Sequence, residues 1–205
     1  MMKLHGFVPE IMRQACNAVR ALSVRRIKNK LHLGNNRRLV DAGALEAVVA
    51  ICTEHVGNEY VSAACASAIG GFAKDDSNRD RLGKLGAADA LMNVLKLHND
   101  CVSVISDVAL AIDDMAFQHD ENMSSFSTDE NDATLLLLRA LAHHESSALV
   151  AASTLQVGTF SSDLHMKIFT CHKSNFLLIY MCKLHWNLLS TPFRLWFVCR
   201  KSIGT

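Results

Sequence analysis

Prolines, paired cysteines and long apolar runs are all scarce in this chain. Only two prolines occur in 205 residues, against a wealth of Ala and Leu, which disfavours a turn-rich β fold and favours helices. The seven cysteines (Cys16, Cys52, Cys65, Cys101, Cys171, Cys182 and Cys199) are odd in number, widely spaced and free of any Cys-x-x-Cys pair. That pattern makes a poor disulfide framework and a poor zinc site, and it suits a reducing compartment. Met1 to Pro9 lacks the apolar run of a secretory signal. The unbroken run Phe176 to Cys182 falls far short of the roughly 20 residues that span a bilayer. With half the residues hydrophobic and 20% charged, wholesale disorder is excluded as well. A soluble protein of the cytoplasm is expected, with the nucleus the other compartment open to it.

Constellations that carry catalysis are also missing. No glycine loop that would cradle a phosphate is present, and Gly70-Gly71 falls inside a helical pattern, where close packing explains it. His143 and His144 are adjacent, so they do not share one helix face as a metal pair would. His165, Cys171 and His172 make at best a chance chelate. Asp113 and Asp114 resemble a catalytic pair only on paper, because adjacent side chains on a helix diverge by about 100°. No enzyme activity, cofactor, metal or small-molecule substrate is expected.

What the chain does have is internal repetition. Asn35 to Cys52 (NNRRLVDAGALEAVVAIC) lines up 43 residues later with Asn78 to Leu95 (NRDRLGKLGAADALMNVL). Arg38 then meets Arg81, Leu39 meets Leu82, Gly43-Ala44 meets Gly86-Ala87, and Ile51 meets Val94. A further 43 places bring Ala90 to Ala133 and Val94 to Leu137. Val61 to Ala73 and Val104 to Ala116 match at the same offset, with an earlier copy at Gln14 to Ser23 and a fainter one at Ala151 to Gly158. Val61, Ala64/Cys65, Ala68/Ile69 and Phe72 draw one apolar helix face. Ala63, Ala64, Ala66 and Ala68 are small enough to let neighbouring helices come close. Gly43 and Gly86 sit where one helix must end and another begin, which glycine permits by adopting positive φ. Asn78 is placed to cap a short helix.

A unit of about 43 residues built as Asn-Arg-x-x-Leu, Gly-Ala, a Leu-rich helix and an Ala-rich helix resembles the armadillo repeat family over residues 10–163. The resemblance implies an all-α, right-handed armadillo-like solenoid of about three to four repeats. Between Ser23 and Gly43 two candidates for the short first helix appear, Asn29 to Gly34 and Asn35 to Val40. Only the second keeps the spacing, so an insertion of six or seven residues is expected there as a longer loop or extra turn.

The resemblance further implies a concave groove lined by the third helix of each unit, along which extended peptides bind. Nuclear-import adaptors of the family line it with Trp and Asn. Here Asn17, Ser67, Leu110 and Ser153 stand at the Trp position, and Ala21, Gly71, Asp114 and Val157 at the Asn position, so that mode of binding is not expected. The partner-binding surface is expected at Arg13, Asn17 and Arg20 at one end and Asp107, Leu110, Asp113 and Asp114 at the other. Ser67 and Gly71 form the floor between.

Charge is segregated along the chain. Arg13 to Arg38 holds eight Arg or Lys and no acid, whereas Asp107 to Asp132 holds eight acids and no Arg or Lys. In a stack of repeats this becomes an end-to-end gradient, or simply solvated helix faces. A protein or peptide partner and a non-catalytic scaffold role follow. Two other readings stay open: a substrate-recruiting part of a larger enzyme such as a ubiquitin ligase, and nucleic-acid binding through the basic first third. The acidic half and the lack of interleaved aromatics argue against the second.

Residues 164–205 break the pattern. They contain Trp186, Trp196 and Pro192, six Lys or Arg, and no Asp or Glu. Three readings apply to this tail: sequence that is not genuine coding sequence, a basic aromatic segment for a membrane surface or partner, or an irregular cap over the last repeat. Together with a start that looks to fall inside a repeat, it suggests a fragment of a longer array.

Overall fold

Spacing in the sequence becomes spacing of helices. The computed structural model describes residues 8–23, 25–27, 30–32, 35–128, 130–144 and 146–158, all within one compact unit. The expectations for residues 164–205, and for His165, Cys171 and His172, lie outside the described residues. The fold is all-α apart from one short hairpin. Its elements are α1 (Pro9–Ser23), β1 (Arg25–Ile27), β2 (Lys30–His32), α2 (Asn36–Asp41), α3 (Ala44–Glu54) and α4 (Glu59–Ala73). They continue with α5 (Asp76–Lys84), α6 (Ala87–Leu97), α7 (Val102–Ala116), α8 (Asp120–Ser125), α9 (Ala133–His143) and α10 (Ala148–Gly158).

Boundaries follow local chemistry. Pro9 opens α1, where its missing N–H costs nothing. The Asn58 side chain accepts from the backbone N–H groups of Tyr60 and Val61 and so caps α4. Gly43 and Gly86 adopt φ of 78° and 77°, the left-handed conformation that the turn into α3 and α6 demands. Asn78 does not cap α5. Asp75 does so, accepting from the Ser77 N–H, while Asn78 lies inside the helix, buried, and donates to the Phe72 carbonyl at 3.2 Å.

The 43-residue offset carries α3 onto α6 and α4 onto α7 end for end. It fails at the fourth unit. There α6 to α9 and α7 to α10 are 46 residues apart, because one extra residue precedes α8 and two more lie between the starts of α8 and α9. Ala87, Leu91, Val94 and Leu95 therefore correspond to Ala133, Leu137, Ala140 and Leu141, all eight of them buried. This replaces the pairing of Ala90 with Ala133 and of Val94 with Leu137. The insertion near residue 30 is neither a plain loop nor an extra turn but an antiparallel hairpin, with Arg25 opposite His32 and Ile27 opposite Lys30.

The long helices pack consecutively: α1 on α4, α4 on α7, and α7 on α10. A second row runs through α3, α6 and α9, and α5 meets α8. Helix α4 is enclosed by neighbours, and Val61, Ala64, Cys65, Ala66, Ala68, Ile69 and Phe72 are all buried. Three of the four repeat cysteines behave as small apolar side chains: Cys16, Cys52 and Cys65 are buried, with Cys16 Sγ 3.4 Å from Cys65 Sγ. Cys101 is only half-buried. No described helix is long and apolar enough to cross a membrane.

Two polar devices recur from unit to unit. Histidines occupy the C-cap positions of α3, α6 and α9: His55, His98 and His144. His98 Nε2 donates to the Val56 carbonyl at 2.6 Å, and His144 Nε2 to the Asn99 carbonyl at 3.2 Å. Each ring thus stitches its unit to the residue just past the preceding histidine. The second device is a buried asparagine. Asn122 donates to the carbonyls of Arg79 and Met115, both at 3.1 Å, and Met115 corresponds to Phe72, the acceptor of Asn78. Satisfying a helix-end carbonyl from the next short helix avoids stranding it in the core.

Candidate functional site

The cleft forms where α1, α4 and α7 lie side by side. Ser67, Gly70 and Gly71 of α4, with Lys74 at its C-cap, lie at four-residue and three-residue steps along one stripe. Arg20 from α1 and Asp107, Leu110, Ala111 and Asp114 from α7 complete a cleft of about 180 Å3. Gly70 fixes how closely α4 and α7 approach. A Cβ there would stand 3.2 Å from Ala111 Cα and 3.2 Å from Asp114 Oδ2, tighter than side chains normally allow.

Six of the residues expected from the sequence converge on this cleft: Arg20, Ser67, Gly71, Asp107, Leu110 and Asp114. Arg13, Asn17 and Asp113 do not line it. Arg13 is engaged on its own helix by Glu10, at 2.6 Å. Asp113 is 5% exposed; its Oδ2 accepts from Gln156 Nε2 of α10 at 2.7 Å, and its Oδ1 has no partner. It sits under the surface, between α7 and α10.

The fourth unit moves with its register. Ser153 and Val157 are buried and do not continue the stripe. At the 46-residue offset the counterpart of Leu110 is Gln156, which is exposed. Lys74 is a residue that sequence reasoning missed. Its ammonium donates to both oxygens of Asp114, each at 2.7 Å. The signal was present, since Lys74 lies one helical turn beyond Gly70 on the same stripe.

Electrostatics in the cleft are set by burial. Desolvation raises the carboxyls of Asp107 and Asp114 above their ordinary range, opposed by the positive charges of Arg20 and Lys74 respectively. Desolvation also raises Asp113, to about 6, with the Gln156 hydrogen bond pulling the other way. Among the described residues, no group of three or more His, Cys, Asp or Glu is placed to hold a metal ion. Sequence comparison adds no assignment: no family model, curated protein or solved structure matches the chain.

Proposed function

We propose that this chain is a non-catalytic protein-binding scaffold, an armadillo-like right-handed solenoid of the cytoplasm that holds a protein or peptide partner along the face formed by α1, α4 and α7. One observation carries the reading. Six of the nine residues expected from the repeat register, on three different helices, meet in a single cleft with charged walls and a small-residue floor. Consecutive packing of like helices supports it, because units that cannot bury their own faces must stack, and stacking leaves a continuous surface. The size of the cleft also fits. At about 180 Å3 it is smaller than the roughly 300–1,000 Å3 of drug-sized ligand sites, and it suits side chains of a partner.

The test is affinity capture with the full chain and with Ser67→Tyr, which fills the floor without touching the buried faces. Proteins held by the wild type and lost with the variant, at unchanged helical content, are the expected result. Identical captures would contradict the reading.

A further inference from the structure

Three buried cysteines from three different helices gather around Cys65. Cys16 of α1 and Cys65 of α4 bring their sulfurs to 3.4 Å, with both side chains fully enclosed. Cys52 of α3 also lies within hydrogen-bonding reach of Cys65. Burial alone does not call for sulfur here. Cys16 precedes Asn17 as Ala66 precedes Ser67, and the 43-residue offset carries Cys65 onto Val108 and Cys52 onto Leu95. Ala66, Val108 and Leu95 are equally buried, so the next unit fills with aliphatic groups the places that thiols hold beside α1. The sulfurs of Cys16 and Cys65 need only close from 3.4 Å to about 2.0 Å to bond.

We infer that Cys16 and Cys65 form a reversible disulfide that locks α1 onto α4 when a peroxide reaches the chain. In a reducing compartment a pair of this kind is a transient sensor rather than a fixed brace. The resting state is the dithiol. Hydrogen bonds with Cys16 and Cys52, and then burial, raise the Cys65 thiol above its ordinary range, so in the closed stack it stays protonated and unreactive. Reaction begins when α1 lifts. Among the described residues α1 packs on one long helix where α4 packs on two, so it opens more readily. One thiolate then attacks the peroxide O–O bond, giving a sulfenic acid, and water leaves. The other thiol attacks that sulfur; the S–S bond forms, the S–O bond breaks and a second water departs. The two sulfurs together lose two electrons, which the peroxide takes up. The product ties residues 49 apart and fixes Arg20, on α1, against the floor of the cleft on α4.

The experiment is treatment of the reduced full chain with hydrogen peroxide, followed by alkylation with N-ethylmaleimide, digestion and mass spectrometry. The expected product is a cross-link between the peptides of Cys16 and Cys65, lighter than their sum by two hydrogens and reversed by dithiothreitol. The oxidised chain should unfold at a urea concentration higher by roughly 1 M, the scale for a cross-link closing a loop of this length. Cys16→Ala, which supplies the residue found at its place in the next unit, should lose both the cross-link and the shift while keeping its helical content. Cys52→Ala should keep both. A cross-link of Cys65 to Cys52, bonds only between chains, sulfinic acid with no cross-link, or thiols that stay free each overturn the proposal. So does a urea shift that survives in Cys16→Ala. The cross-link on the wild type is decisive without either variant.

Discussion

Two neighbouring helix contacts, α4 with α7 and α7 with α10, occupy equivalent places in the repeat and are built differently. The first is close and largely apolar: Gly70 seats against Ala111, Ile69, Phe72, Val108 and Ile112 are all buried, and the charged pair at its edge, Lys74 with Asp114, is matched. The second encloses polar groups. Asp113 lies there at 5% exposure, one of its oxygens on Gln156 and the other unpartnered, and the buried Thr154 hydroxyl also lacks a partner. Buried polar groups without partners cost free energy that apolar contacts do not. A shared register therefore does not confer equal strength. The middle of the stack is cohesive, and its α10 end carries a built-in weakness.

Substitutions at the two contacts should have effects of different size and sign. The largest effect is expected from Gly70→Leu, which forces α4 and α7 apart. A loss of about 3 kcal/mol by urea unfolding is expected, at the upper end of overpacking effects. Next comes Asp113→Asn, which should strengthen the α7–α10 contact. The carboxyl is raised from near 3.8 to about 6, so the folded state holds the proton more tightly than the unfolded one. The cost of keeping it ionised is full above pH 6, shrinks as pH falls toward 3.8, and is absent below. The variant should gain up to about 3 kcal/mol at pH 7 and converge with the wild type near pH 4. A gain that persists at pH 4 would refute the electrostatic cause.

Asn122→Ala removes two hydrogen bonds to buried carbonyls and should cost about 2 kcal/mol. Gly83 depends on the same residue, since a Cβ at Gly83 would collide with the Asn122 amide oxygen. The smallest effect is expected from His98→Ala, about 1 kcal/mol for one inter-unit hydrogen bond, seen as a lowered urea midpoint.

Much of this fold is legible in the residues because the middle two units have the same length. Offset alone places α3, α4, α6 and α7. The fourth unit is misread at 43 residues because nothing local marks the extra residues around α8; the histidines do mark them, at 55, 98 and 144. Asn78 looks like a cap because asparagine favours that position, yet Asp75, three residues earlier, reaches the free N–H first. In the cleft, Arg20, Ser67, Gly71, Asp107, Leu110 and Asp114 follow from helical periodicity. Asp113 is misplaced by treating neighbours as one patch, when a turn of about 100° sends it to the face packed on α10. The bond from Lys74 to Asp114 joins residues 40 apart, a pairing set by the approach of α4 to α7 at Gly70.

Helices α4 and α7, each packed on both of its long neighbours, hold the described residues together. Amide hydrogen exchange of the full chain, read by mass spectrometry, tests this. Slowest exchange in Glu59–Ala73 and Val102–Ala116, with earlier exchange in Ala148–Gly158, is the expected order. Exchange in α10 as slow as in α4 and α7, or α4 and α7 opening separately before α10, would contradict it.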